Sequence, residues 1–177
     1  MASRTADAGP GRLQQAVAWL VKVTVDNAGG AVYGTVMIGI LFAAEGSQSV
    51  GYPDAVGAAV IVLAVYWLTS LYTYTLGTRL RTREPLSGNV FWRSCLHELP
   101  IVEGALLPLL ALLAAWAAGA SVTTGASIAT WMAAISIVTL EFAAGWRSGL
   151  TLGRLLLQAG MGAAIGLAIV ALKLLLH

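Results

Sequence analysis

Residues Leu96–Trp116 read LHELPIVEGALLPLLALLAAW, a run of membrane-crossing length that nonetheless carries two acids and two prolines. An apolar helix needs about 20 residues to cross a bilayer. An ionised side chain at the bilayer centre costs about 2.5 to 3.5 kcal/mol on insertion scales, so Glu98 and Glu103 require a partner, water or a function. Pro100 and Pro108 each remove an amide donor and leave a carbonyl one turn earlier without its helical partner. Lipid offers no replacement, so a neighbouring helix, a side chain or water has to supply one. The stretch therefore predicts a helix that faces protein or a wet cavity. Counted along this helix, His97 and Glu98 fall near the membrane boundary, and Glu103, roughly 9 Å further in, is the buried acid.

The surroundings of this stretch are equally apolar. Of 177 residues, 58% are hydrophobic and 10% charged, and the mean hydropathy is +0.81. That is too little charge to cover a soluble surface. The predicted fold is an all-α polytopic membrane protein: five transmembrane helices plus an N-terminal amphipathic surface helix, with the N-terminus inside and the C-terminus outside. Residues 1–11 are read as a mobile segment and 12–177 as a single membrane domain, with spans at about 27–44, 55–78, 99–118, 127–144 and 154–176. The surface helix covers residues 12–25, where Leu13, Val17 and Leu20 share one face and Trp19 suits headgroup depth. The break between the third and fourth spans is forced. Gly104 to Leu140 carry no charge, and as one helix they would measure about 55 Å, too long for one crossing, so the turn falls within GASVTTGAS, residues 119–127.

Orientation follows from the basic residues. In the five-span frame Arg4, Arg12, Lys22, Arg79, Arg81, Arg83, Arg93, Arg147 and Arg154 lie on one side, and only Lys173 lies toward the other. By the positive-inside rule the arginine side is cytoplasmic. The net charge of +2 is small and its residues are scattered along membrane edges, which predicts lipid as the surrounding partner and no nucleic acid. The predicted location is a cell membrane of the bacterial inner-membrane type. The single cysteine, Cys95, excludes a disulfide within one chain. Tyr66, Trp67, Tyr72 and Tyr74 near the end of the second span read as an interfacial belt. Gly30 with Gly34 and Gly162 with Gly166 form small-xxx-small faces for close helix packing, and from these a homodimer is expected.

Function is sought in the acids. Glu141 lies near the cytoplasmic end of the fourth span, so an antiparallel pairing of the third and fourth helices would bring it to a depth similar to that of Glu103. Glu98, Glu103 and Glu141 are the candidate transport or proton-relay residues, and together with His97 they form a candidate ligand set for Fe2+ or Mn2+ as a transported ion. At such a site, metal and proton would compete. The alternative is that Glu98 and Glu141 sit at the interface, paired with Arg93 and Arg147, in a structural or regulatory membrane subunit. With no phosphate-binding loop, dinucleotide fingerprint, zinc-protease motif or nucleophile elbow, an enzyme is not expected.

Three stretches resemble the vacuolar iron transporter family of five-span divalent-cation/proton exchangers. Val32-Tyr33-Gly34 is similar to the aromatic-glycine opening of that family's first span, and Gly104-Ala105-Leu106-Leu107-Pro108-Leu109 to its third-span GA-x-x-PL segment. Trp146 to Leu176 is similar to its arginine-rich turn and glycine-rich last helix. The resemblance implies a dimeric carrier with a cytoplasmic N-terminus. It departs from the family pattern at Met37, where the family has an aspartate, at Ser70-Leu71 and Tyr74-Thr75 in the second span, and in the short loop after Arg79. The HELPIVEGALLP segment also resembles actinobacterial integral membrane proteins without an assigned role.

Overall fold

A computed structural model describes residues 28–44, 51–82 and 88–176. The segment 1–11 expected to be mobile, the expected surface helix 12–25, and residues 45–50 and 83–87 lie outside the described residues. Six helices follow in order: α1 (Ala28–Ala44), α2 (Tyr52–Thr82), α3 (Gly88–His97), α4 (Leu99–Ala117), α5 (Val122–Arg147) and α6 (Leu152–Leu176). No strand occurs among them. By length and composition four helical stretches are able to cross a membrane: Tyr52–Arg81, Phe91–Ala117, Val122–Arg147 and Leu152–Leu176. The described residues are thus all-α, with four helices compatible with a multi-pass membrane protein, and α1, with 17 residues, is a shorter apolar helix.

Local chemistry sets the breaks. Pro100 has no N–H for the Leu96 carbonyl, and the helix is interrupted at Glu98, which takes up φ −91° and ψ 0°. The residues before this break form α3, a helix where the sequence suggested a loop running into the third span. The next two turns share one construction. After α4, Gly119 at φ 76° lets its N–H reach Trp116 O (2.9 Å) while Ala120 N–H reaches Ala115 O (3.0 Å). After α5, Gly149 at φ 65° and Leu150 repeat the pair on Trp146 and Gly145. Both are left-handed glycine caps that satisfy terminal carbonyls. Ser121 then opens α5 by accepting the Thr124 N–H (3.2 Å), so this helix begins five residues before the expected Ser127.

α1 is central, packed against α4, α5, α6 and, more lightly, α2. Its crossing with α4 is backbone on backbone. A Cβ at Gly34 would lie 1.8 Å from Ile101 O, and one at Gly104 would lie 1.9 Å from Ala31 O, so only paired glycines permit the approach. The carbonyl that Pro108 leaves without a helical donor is that of Gly104. It accepts the Thr35 hydroxyl of α1 at 2.7 Å, the buried partner that the proline demanded. Around this crossing Ile38, Phe42, Ala105, Leu112, Ala126 and Ala129 form the core. On the far side, Lys173 of α6 donates to Phe42 O of α1 at 3.2 Å.

α2 is held differently. Tyr52, at its start, donates to the carbonyls of Ala120 and Ser121 (3.1 and 2.9 Å) and stacks on Trp116 with centroids 5.5 Å apart. Beyond that anchor, among the described residues, it rests mainly on α1, α3 and α4. The alternation of helices puts Arg79, Arg81, Arg93, Arg147 and Arg154 at one end of the bundle and Lys173 toward the other.

Candidate functional site

The light packing of α2 leaves a cavity of about 420 Å³ at the arginine-bearing end of the bundle. α1 contributes Gly29, Gly30 and Tyr33, α2 contributes Tyr66 and Ser70, and the interruption between α3 and α4 contributes His97 and Glu98. Tyr66, Ser70 and Tyr74 lie four residues apart and so form one stripe of α2. The stripe meets the helix break. Ser70 donates its hydroxyl to Glu98 Oε2 at 2.5 Å, and His97 Nδ1 lies 3.2 Å from Glu98 Oε1. Tyr74 stacks on the His97 ring with centroids 4.3 Å apart, which fixes the plane of the imidazole. Tyr33 and Tyr66 form a second stacked pair, 6.0 Å apart and inclined by 30°.

Glu98 is 7% exposed. Its partners are Ser70 and His97, not Arg93, so it is not the arginine-paired interfacial acid considered above. The contact with His97 is an ion pair only when the imidazole is protonated. A carboxylate has about four lone-pair sites and two donors reach it here, which leaves acceptor capacity for a cation.

The order of burial differs from that counted along the sequence. Glu98, placed at the boundary, is buried, and Glu103, placed inside, is half-buried. Counting rise along one helix assumes the helix is continuous and that depth in lipid decides burial; here the helix breaks at Glu98, and Ser70 of α2 covers the break. Glu141 turns away from this cavity toward α6. It accepts the Gln158 side-chain N–H at 2.8 Å, and its Cγ would lie 2.9 Å from a Cβ at Gly162. Among the described residues, which include His97, Glu98, Glu103 and Glu141, no group of three His, Cys, Asp or Glu gathers where it could hold a metal ion.

The glycine faces are likewise used inside the chain. Gly34 meets α4, while Gly162 and Gly166 meet Glu141 and Ala134 of α5. Gly30 lines the cavity. Tyr33, Tyr66 and Ser70 are site residues that charge-seeking in the sequence passed over. Their signal was the four-residue spacing from Tyr66 through Ser70 to Tyr74 within an apolar span.

No protein-family model, curated protein or solved structure matches the chain.

Proposed function

We propose that the protein is a cation/proton carrier of five membrane spans, α1 being the first, with its arginine-bearing end in the cytoplasm and Glu98 as the exchanging carboxylate. One observation carries the reading. An acid at 7% exposure sits in an open cavity with two hydrogen-bond donors and no lysine or arginine among the described residues to neutralise it. Such a carboxylate within a span is costly unless it is protonated or faces a cation, and alternation between those two states is the elementary step of an exchanger.

The resemblance to the vacuolar iron transporter family supports the same class, with Fe2+ or Mn2+ as one form of the cargo, and it is the support for a homodimer, since Gly34, Gly162 and Gly166 are occupied within one chain. A packing role, as in a structural or regulatory subunit, is favoured for Glu141 by its bond to Gln158. Proteoliposomes with a pH-sensitive dye inside and a cation panel outside test the proposal: the wild type moves protons against a cation, and Glu98→Gln abolishes that movement while eluting as a folded species. Flux that survives Glu98→Gln sinks the assignment. Glu141→Gln is expected to lower thermal stability and leave flux in place.

A further inference from the structure

Resting on the reading of Glu98 as the carrier carboxylate, we infer that the cavity takes an organic ammonium ion, with the cationic head between the Tyr33–Tyr66 pair and Glu98. Size is the first reason. A space of about 420 Å³ is the volume of a small-molecule pocket, roughly 300 to 1,000 Å³, and far exceeds a bare metal ion. Ligand count is the second. His97 and Glu98 are the only lining groups of the kind a transition metal prefers, and no third gathers with them among the described residues.

The walls supply the third reason. Two tyrosine rings, Tyr33 and Tyr66, line the cavity, and an aromatic ring attracts a cation over its face by about 0.5 to 2 kcal/mol depending on how far it is desolvated. A single buried carboxylate, its remaining lone pairs available beyond the Ser70 and His97 contacts, matches a single positive charge. Gly29 lines the same cavity, and an added Cβ there would meet nothing within 4 Å, so a side chain at this position has open space to enter. An ammonium group can arrive on a free solute or on a lipid headgroup, and the same chemistry recognises both.

The test is calorimetric titration of benzyltrimethylammonium chloride into the full chain in maltoside detergent. Saturable binding is expected. Glu98→Gln and Tyr66→Ala should each weaken it about tenfold or more, whereas Tyr66→Phe, which keeps the ring face, should retain most of it. Gly29→Phe should fill part of the cavity and weaken binding without lowering the melting temperature, because a Cβ there meets no other atom within 4 Å. Displacement of the probe by short-chain phosphatidylcholine, with no uptake of labelled probe into proteoliposomes, would identify the headgroup as the source. Glu98-dependent uptake would identify a solute. Binding of MnCl2 that needs Glu98, with none of the ammonium probe, overturns the inference and leaves the carrier reading standing. Absence of binding by either, in protein that elutes folded and moves no protons, overturns both.

Discussion

The crossing of α1 with α4 and the seating of α2 are two solutions to holding helices together in an apolar surrounding. At the crossing, Gly34 and Gly104 bring backbones into contact and Thr35 closes the carbonyl that Pro108 opens. Along α2, side chains do the work: Tyr52 at one end, the Ser70 hydroxyl further along, and aromatic stacking on His97. In the most apolar stretch of α2, 17% of residues are buried inside the protein, against 39% for the stretches spanning α3–α4 and α5. Since helices in lipid gain nothing from hydrophobic burial against one another, dense packing of small residues makes the rigid part. A polar cavity survives only where packing is given up. The lesson is a division of labour, in which the glycine-built core fixes one wall and the lightly packed helix supplies the other.

The comparison breaks most severely at Gly104. Gly104→Val places a side chain on the Ala31 carbonyl, and the expected outcome is loss of the monodisperse species in size-exclusion chromatography. Next comes Thr35→Val, which keeps shape and removes the donor to Gly104 O; unfolding in mixed micelles should show a loss of about 0.6 to 1.7 kcal/mol. That loss should shrink on a Pro108→Ala background, where the restored N–H offers the carbonyl its own helical partner. Additive costs in this cycle would mean that the hydroxyl and the proline are unrelated.

Smaller effects are expected on α2. Tyr52→Phe removes the bonds to Ala120 and Ser121 but keeps the ring on Trp116, and about 1 kcal/mol should be lost, with faster amide exchange confined to α2. At the bottom of the scale is Gly77→Ala, where an added Cβ meets nothing within 4 Å. It should be neutral or stabilising by up to about 1 kcal/mol, in contrast to the same chemistry at Gly104. A strongly destabilised Gly77→Ala protein would show that α2 has a close partner after all.

The parts legible in sequence are those fixed by one segment's own chemistry. Charge-free length marked the helices, Gly119 and Gly149 lay in the turns, and Pro108 required an outside donor for a carbonyl. What pairs with what was not legible. Thr35 and Gly104 stand 69 residues apart, and no periodicity links a hydroxyl in one span with a proline-freed carbonyl in another. Small-xxx-small spacing likewise says that something comes close at Gly162 and Gly166, but cannot distinguish a second chain from α5. Among the acids, one segment's depth count put Glu103 ahead of Glu98, because the covering Ser70 belongs to a different helix. α3 is not legible because Gly88, Asn89 and Arg93 look like loop residues unless the exposed apolar face of Phe91, Trp92 and Leu96, set against buried Ser94, is recognised.

The bond from Lys173 to Phe42 O spans 131 positions of the chain and ties α6 to α1. Its consequence lies in time, during synthesis. When α1 enters the membrane, the only neighbour made soon after it is α2, with which it shares little surface, while α4, α5 and the lysine that reaches its carbonyl are still to be translated. α1 thus waits for α6. Its glycine face stays uncovered until α4 arrives, the Thr35 hydroxyl meanwhile having the Ala31 carbonyl of its own helix within 2.9 Å, and the wall of the cavity that α4 completes is built only after α2 is already in place.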